Sequence, residues 1–342
     1  MAPEVPMCSH CRAPAVEQVR YAGVHLCKAH FVDFVERRVK KELRKQGGVP
    51  TGATVGVAVS GGKDSTVALR LLHRVLLPRL GPECGGSNLK ADARLVVLTI
   101  DEGIDGYRGT GIDVARRTSA ELGVPHHILG YTELVGATMD QVHTVKGTKN
   151  ECSYCGVFRR ASLNQLARDT GCDLLVTGHN LDDIAQAVLM NVTGGDVARL
   201  ARLGPHKDVK EGLVPRRMPL RTIPEKEIYL TAMLSDWETD HAECPYAVNS
   251  QRALYRDILN RMEKATPGTR HALLQSLDTL RPVLGQLDNG GGRPIRVCDD
   301  CGEPSAGAVC KVCELGEEVR GRLEADETPI TGRGRPTPTA RP

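Results

Sequence analysis

Cysteine and histidine residues recur in short pairs along this sequence, and that spacing is typical of metal ligands. The chain has twelve cysteines. Near its N-terminus the pattern C-x2-C-x15-C-x2-H comprises Cys8, Cys11, Cys27 and His30. Two close pairs that close a short loop match a tetrahedral zinc site, in which the metal replaces a hydrophobic core too small to form by itself. His10 and His25 are alternative ligands to His30.

A second cysteine pattern, C-x2-C-x8-C-x2-C, lies near the C-terminus and comprises Cys298, Cys301, Cys310 and Cys313. Glycines between the pairs allow tight turns, and the spacing predicts a zinc ribbon. Because cytosolic cysteines are kept reduced, metal sites explain both patterns better than disulfides do. The isolated Cys84 and Cys172 are assigned to structural positions.

A third cysteine pair, Cys152 and Cys155, precedes a helical pattern over 157–170. A thiol at a helix N-terminus is expected to be more acidic than a free one, which suits metal binding or sulfur transfer. Cys244 stands alone in HAECPY, and such a cysteine is more often a small buried hydrophobe. However, two thiols do not hold an iron–sulfur cluster, whereas a third would leave one iron of a four-iron cluster open for chemistry.

A short glycine segment is the strongest sign of nucleotide binding. Ser60, Gly61, Gly62, Lys63, Asp64 and Ser65 follow an apolar run and precede a helical pattern. A strand, a glycine turn and a helix start present backbone N–H groups and a positive dipole end to a phosphate. The segment is not a Walker A loop, which would need glycine in place of Val57 and Ser or Thr in place of Asp64. A glycine turn with no nucleotide role is the alternative.

The segment TGHNLDD, residues 177–183, is predicted to complete this site. Asp182 and Asp183 fall in the first turn of the helix that follows. Carboxylates there stabilise a helix end through its dipole, which is one explanation for them. The other is that one of the two holds Mg²⁺ beside the phosphates, since a hard cation prefers oxygen ligands.

The elements that must position these residues alternate along the chain. Strands are predicted at 55–59, 95–100, 127–129 and 174–177, with helices at 65–77, 112–122 and 157–170 between them. This alternation predicts an α/β fold, a doubly wound parallel sheet of Rossmann-like type. Ligands bind at the carboxyl ends of such strands, so the loops at Ser60–Ser65, Asp101–Gly103 and Gly178–Asn180 should converge.

Four regions are expected on this basis. Residues 1–47 form a zinc finger and a basic helix, and 48–287 form the central domain, with amphipathic helices at 225–239, 252–264 and 270–279 capping its sheet. Residues 288–325 form a flexible hinge, 288–294, and the zinc ribbon. Residues 326–342 are rich in Pro, Thr, Arg and Gly, which predicts a disordered tail.

Composition bounds the range of functions. The 342 residues are 40% hydrophobic and 3% aromatic, which disfavours base recognition by extensive stacking. A net charge of +3 permits a nucleic-acid partner without requiring one. The basic segment 33–45 and the arginines Arg216, Arg217 and Arg221 are either solvated surface or contacts to RNA phosphates. No apolar run is long enough to span a membrane, so we expect a soluble cytoplasmic protein with no membrane partner.

Taken in order, these motifs resemble the tRNA 2-thiouridine synthetases with two zinc fingers, the TtuA and NcsA/Ctu group of the TtcA superfamily. The resemblance covers roughly residues 8–315 and includes SGGKDS, the PP-loop of ATP pyrophosphatases, together with DEGIDGYR, CGVFRR and ECPYA. It implies that ATP is bound by Ala58, Ser60, Gly61, Gly62, Lys63, Asp64, Ser65, Ile100, Arg159, Gly178 and Asp183. It further implies that Cys152, Cys155 and Cys244 are the catalytic residues and hold an iron–sulfur cluster, with 4Fe-4S favoured.

The resemblance also implies a reaction. ATP with Mg²⁺ would activate the C2 carbonyl oxygen of a tRNA uridine as an adenylate, and sulfur would then displace AMP. That sulfur is either a sulfide on the open iron or a persulfide on Cys155 or Cys244, supplied by a ubiquitin-like carrier with a C-terminal thiocarboxylate. The motifs look closer to the branch that modifies the wobble uridine than to the T-loop branch, and a homodimer is expected.

Two other functions fit parts of the sequence. A different PP-loop tRNA-modifying ATPase or an amidotransferase would adenylate a carbonyl without needing the three cysteines. A zinc-finger RNA-binding protein with a degenerate nucleotide loop would need neither the complete SGGKDS nor TGHNLDD.

Overall fold

The computed structural model describes residues 5–77, 92–145, 147, 149–206, 209, 211–249, 251–287 and 295–327. Its strands are β1 (Glu17–Val19), β2 (Val24–Leu26), β3 (Thr54–Ala58), β4 (Arg94–Asp101), β5 (His126–Gly130), β6 (Leu174–Val176), β7 (Arg216–Arg217), β8 (Arg296–Val297) and β9 (Pro304–Ser305). Cys84, the hinge 288–294 and all but two residues of the tail 326–342 lie outside these ranges, so the predictions made for them are not addressed below.

Helices alternate with the strands along the central part of the chain. They are α1 (Lys28–Lys45), α2 (Lys63–Leu76), α3 (Arg108–Leu122), α4 (Tyr131–Val135), α5 (Met139–Val145), α6 (Glu151–Asp169), α7 (Leu181–Thr193), α8 (Val197–Ala201), α9 (Glu225–Leu234), α10 (Arg252–Ala265), α11 (Thr269–Leu287) and α12 (Lys311–Glu327). No helix in the described ranges has both the length and the apolar character needed to cross a membrane.

The central sheet confirms the predicted fold class. Five strands pair in parallel in the order β5-β4-β3-β6-β7. Strand β3 lies in the middle, where Val57 pairs with Val97 on one side and Val176 on the other. Such strands are apolar on both faces because helices cover both. The edge strand β7 was not predicted, since two arginines in a polar segment give no strand signal.

Helices pack on both faces of this sheet, as a doubly wound fold requires. On one face, α1, α2, α3 and α9 cover side chains such as Val55, Val57 and Val97. On the other face, α4, α5, α6 and α12 cover Leu98 and Ile100. A third apolar cluster joins α7, α8 and α11 into a cap over one end of the sheet.

Helix α6 begins earlier than the sequence predicted, at Glu151 instead of 157. The side chain of Asn150 caps it by accepting a hydrogen bond from the backbone N–H of Ser153, 3.1 Å away. Such a cap satisfies one of the N–H groups that a helix start leaves without a partner. Cys152 and Cys155 therefore lie in the first two turns of the helix, not in a preceding loop.

The loop after β3 packs so tightly against α3 that it requires glycine. Gly61 has φ +86°, and a Cβ atom there would lie 2.0 Å from the carbonyl oxygen of Gly111. Left-handed backbone and overlap with another main chain both exclude a larger residue at this position.

We expect Gly61→Ala to lower the free energy of unfolding by about 2–4 kcal/mol, because strain at positive φ adds to overpacking. The measurement is a urea titration followed by circular dichroism. Gly109→Ala in the same helix α3 is the control, since a Cβ there meets nothing within 4 Å. Equal midpoints for the two variants would contradict the close approach of Gly61 to α3.

Candidate functional site

Hydrogen bonds among its own residues fix the conformation of the loop between β3 and α2. The backbone N–H of Ser60 donates to Ser65 Oγ at 3.0 Å, and that hydroxyl lies 3.0 Å from the carbonyl oxygen of Gly62. The N–H groups in the first turn of α2 have no intrahelical partner and point out of the helix start. A phosphate placed there would meet several donors and the positive end of the dipole.

Lys63, the first residue of α2, is held by two carboxylates. Its Nζ lies 3.1 Å from Asp64 Oδ2 and 2.5 Å from Glu225 Oε1. Burial alone would lower the pKa of Lys63, but these two carboxylates raise it. Lys63 is therefore charged, and its ammonium, which has three N–H donors, keeps one of them for a phosphate.

The two aspartates of the TGHNLDD segment have different partners. Asp182 accepts a hydrogen bond from the backbone N–H of Glu225 at 2.8 Å and pairs with Arg270 at 2.7 Å. Asp182 therefore joins α7 to α9 and α11, which is a structural task. Asp183 accepts from the backbone N–H of Asn180 at 3.1 Å and has a side chain that is 32% exposed.

Asp64 and Asp183 are the pair of carboxylates that fits a hard cation. Burial raises the pKa of Asp64, and the nearby charge of Asp183 raises it further. Asn180 connects the two, since its amide donates to Asp64 Oδ1 at 3.1 Å and its side-chain oxygen accepts from Asp183 N at 2.9 Å. Mg²⁺ prefers such oxygens together with phosphate oxygens. Between the two aspartates that the sequence offered, the geometry favours Asp183.

A buried carboxylate links the nucleotide loop to the cysteine pair. Glu102 follows β4, is 4% exposed, and pairs with Arg108 at 2.6 Å and with Arg159 at 2.9 Å. Arg108 also donates to the carbonyl oxygens of Ser60, at 2.7 Å, and Ile100, at 3.0 Å. This network fixes the ends of β3 and β4 against each other.

Arg159 extends the same network to a thiol. Its guanidinium lies 3.1 Å from Cys155 Sγ, and the hydroxyl of Tyr131 lies 3.4 Å from the same sulfur. The guanidinium donates to the sulfur, while the Tyr131 hydroxyl donates to the carbonyl oxygen of Cys155 at 3.0 Å. The guanidinium of Arg159 lies between Glu102 and the thiol, and its contact with the phosphates, which the resemblance implies, stays a prediction.

Cys152 is less acidic than its position at a helix start suggests. Burial raises the pKa of this thiol, and the neighbouring Cys155 and Glu151 raise it further. The expectation of an acidic thiol is therefore wrong for Cys152, because a nearby carboxylate and burial outweigh the helix dipole.

Two anchors bring Cys244 to this edge of the sheet. The backbone N–H of Asp240 donates to the carbonyl oxygen of Gly61 at 2.9 Å. On the other side of the cysteine, Tyr246 donates to Asp140 at 2.6 Å and stacks on His143 with ring centroids 4.5 Å apart. The segment around Cys244 is thus attached both to the nucleotide loop and to α5.

The three thiols of Cys152, Cys155 and Cys244 act on one another electrostatically. Burial raises the pKa of Cys244, and Cys155 and Cys152 both add to that rise. Within the described residues, these three sulfurs are not among the ligand sets whose atoms all lie within 4.8 Å. A cluster of several irons holds its thiolates further apart than a single ion does. Three cysteine thiols are a donor set that holds an iron–sulfur cluster and leaves one iron of a four-iron cluster open.

The N-terminal and C-terminal ligand sets have the dimensions of zinc sites. In each, the four ligand atoms all lie within 4.8 Å of one another. The sulfurs of Cys11 and Cys27 are 3.7 Å apart, and those of Cys301 and Cys310 are 3.6 Å apart. A tetrahedron with Zn–S bonds of 2.3 Å has edges of about 3.8 Å. His30 Nδ1, 3.2 Å from Cys27 Sγ, completes the first set in preference to His10 or His25.

The sheet and its loop define a class of protein: a glycine loop after the central strand of a parallel sheet makes this a PP-loop nucleotide-binding protein. Family models agree, since residues 33–262 match a PP-loop domain and residues 8–32 match the N-terminal LIM domain of the 2-thiouridine synthetase TtuA.

Known proteins resemble nearly the whole chain. It is 36% identical over 331 residues to the tRNA 2-thiolation protein NcsA of Haloferax volcanii, covering 91% of this chain and 98% of that protein. It is also 36% identical to the cytoplasmic tRNA 2-thiolation protein 1 of Danio rerio, covering 91% of this chain and 87% of the relative. The solved U34-tRNA thiolase NcsA of Methanococcus maripaludis, which contains a 4Fe-4S cluster, superposes with a TM-score of 0.75 at 34% identity, covering 91% of this chain and 95% of that one. The chain belongs to the PP-loop family of tRNA 2-thiolation proteins.

Sequence reasoning missed several residues of this site. Glu102 and Arg108 lie in the quoted segment DEGIDGYR, and their place directly after a strand could have indicated them. Tyr131, Glu225 and Asp240 carry no such signal, because only the fold brings them beside Cys155, Lys63 and the glycine loop.

We expect the purified chain to hold one zinc ion in each of the two ligand sets and Cys298→Ser to lose one of them. A hydroxyl is a poor substitute for a thiolate ligand, and elemental analysis by mass spectrometry gives the stoichiometry. Cys172→Ala is the control, since Cys172 is buried but belongs to neither set. Unchanged zinc in Cys298→Ser would remove the ribbon cysteines from metal binding.

Glu225→Gln should bind ATP roughly two- to fivefold more tightly, because a partly exposed carboxylate beside Lys63 no longer repels the phosphates or competes with them for the ammonium. Isothermal titration calorimetry with and without Mg²⁺ measures the change. Glu317→Gln, on the exposed side of α12, is the control for loss of one negative charge. Weaker binding in the presence of Mg²⁺ would instead show that Glu225 assists the metal.

Proposed function

We propose that this chain is an ATP-dependent tRNA sulfurtransferase that converts the C2 carbonyl of a uridine to a thiocarbonyl. The observation that carries this proposal is the network of Glu102, Arg108 and Arg159, which joins a phosphate-binding loop to Cys155 at one edge of the sheet. Adenylation alone would need only the loop. A thiol held beside it by shared ion pairs indicates that sulfur is transferred in the same pocket.

In the first step, the chain holds ATP for attack by the uridine oxygen. The N–H groups at the start of α2 and Lys63 would bind the phosphates, while Asp64 and Asp183 would bind Mg²⁺. The C2 oxygen attacks the α-phosphate and pyrophosphate leaves. Fixed donors stabilise the negative charge that develops on the departing group.

In the second step, sulfur attacks C2 and AMP leaves with the original oxygen. An iron–sulfur cluster at Cys152, Cys155 and Cys244 would supply an open coordination position for sulfur when it is bound. The chain's own contribution is position and charge. Arg159 donates to the sulfur of Cys155 and Tyr131 donates to its carbonyl oxygen, and the anchored segment Asp240–Tyr246 carries the third thiol.

The finer parts of the proposal rest on the relatives' names for the uridine and the location, and on the resemblance of the sequence motifs for the rest. We propose the wobble uridine as the target because the solved relative is a U34-tRNA thiolase. A ubiquitin-like carrier as sulfur donor, a homodimer, a cytoplasmic location and the four regions outlined above complete the proposal.

The competing function is a PP-loop ATPase that adenylates RNA without transferring sulfur. The glycine loop, Lys63 and the two aspartates serve both functions equally. Only the three thiols distinguish them, so replacement of one thiol is the decisive change.

We expect Cys244→Ser to abolish thiolation while leaving ATP affinity unchanged. The assay is mass spectrometry of nucleosides from tRNA treated with anaerobically purified protein, and the visible absorbance of the cluster should be lost in parallel. Cys172→Ser is the matched control outside the site. Full thiolation by Cys244→Ser would exclude Cys244 from the mechanism, and a colourless wild-type protein that adenylates but never thiolates would favour the competing function.

A further inference from the structure

The segment PRRMPLR contains three arginines, and the structure gives them different surroundings. Arg221 is 3% exposed and pairs with Glu42 and Asp278. Arg217 is 7% exposed and donates to the carbonyl oxygen of His206 at 2.9 Å. Both are interior residues, so neither forms the RNA-facing rim that the sequence allowed.

Arg216 differs from both. It lies on the edge strand β7, and its guanidinium donates to the carbonyl oxygen of Arg160 on α6, at 3.2 Å. Throughout the described ranges, neither Arg216 nor Arg160 forms an ion pair with a carboxylate. The Arg216 guanidinium is thus held beside the backbone of residue 160, and both side chains carry a charge that no described carboxylate pairs with.

Such a pair is unfavourable without an anion. The pKa of Arg216 is lowered by burial and by the charge of Arg160, and the pKa of Arg160 is lowered by burial and by Arg199. Like charges that share a site repel one another, and a bound anion removes that repulsion. Both arginines line a cavity of about 650 Å³ between α6 and the zinc ribbon, where the cations Lys311 and Arg320 outnumber, together with them, the carboxylates Glu133 and Glu303.

Helix α6 lines this cavity and also carries Cys152, Cys155 and Arg159. Arg160 directly follows Arg159, the partner of Cys155. Arg216 acts electrostatically on His179, which follows β6 at the edge where the nucleotide loop lies. The charges of Arg159 and Cys155 act on Arg160, so an anion bound between the two arginines would lie near Cys155.

We propose that Arg160 and Arg216 together bind a backbone phosphate of the tRNA next to the uridine that is thiolated. This inference rests on the proposed function, because it takes its ligand from the substrate. A uridine in a loop must be turned out of its stack to reach an enzyme pocket, and its neighbouring phosphates then meet the rim. Planar guanidinium groups match phosphate oxygens in pairs, which an ammonium does not.

The test is the salt dependence of tRNA binding. Each phosphate contact releases counterions, so its loss lowers the slope of log K against log salt concentration by about one. We expect Arg160→Ala and Arg216→Ala to show this lower slope and a higher KM for tRNA, with little change in kcat or in the KM for ATP. Arg160→Lys and Arg216→Lys should recover the slope but only part of the affinity.

The matched control is Arg94→Ala. Arg94 is exposed at the start of β4, at the amino edge of the parallel sheet, opposite to the edge that carries the site. The substitution removes the same charge, so it corrects for a general change in net charge. Its slope and KM should equal those of the wild type.

Several results would overturn the inference. One is a wild-type slope in both alanine variants while the wild type thiolates tRNA, which would leave the proposed function intact. Another is an unchanged slope with a raised KM for the sulfur donor, which would assign the arginines to a protein partner. If the alanine variants show a lower slope of tRNA binding but the wild type never thiolates tRNA, the proposed function is refuted and the phosphate contact is supported. If the Arg216 variants fail to bind ATP, the salt dependence of tRNA binding by the variants of the exposed Arg160 is the test of the inference.

Discussion

The site depends on one buried carboxylate. Glu102 would be unfavourable by itself in the interior, and it persists because Arg108 and Arg159 pair with it from two sides. Each of the two arginines also makes a hydrogen bond outside the ion pairs. Arg108 donates to the backbone of the glycine loop, and Arg159 donates to Cys155. The distance between the glycine loop and the thiol of Cys155 is therefore set by two ion pairs that share one carboxylate.

The two zinc-type ligand sets lie away from the site, and each of them is joined to a helix that packs on the central sheet. In each set a histidine or cysteine lies in the first turn of a helix, His30 in α1 and Cys313 in α12. These helices pack against opposite faces of the central sheet, with Phe31 buried on one side and Leu315 on the other. A metal bound at either end would fix a helix start and so position the helix that covers the core.

The arrangement also separates charge that stabilises from charge that is available to a ligand. Arg221 pairs with carboxylates of α1 and α11 and so joins the cap to α1, while Arg270 pairs with Asp182 within the cap. Arg160 and Arg216, as described above, pair with no described carboxylate. Arg216 and Arg221 thus differ in this respect although they lie within one short stretch of chain. An anionic ligand is attracted to the arginine that has no carboxylate partner.

The sequence by itself determined what local spacing and periodicity encode. Ligand pairs such as Cys298 and Cys301, the glycine loop and the apolar strands all act within a few residues, so the fold class and the ligand sets could be inferred from them. Tertiary structure alone decided which distant side chains meet. Glu225 beside Lys63, Asp240 beside Gly61 and the different environments of three neighbouring arginines depend on chain segments far apart in sequence, and no local pattern records which of them the packed core brings together.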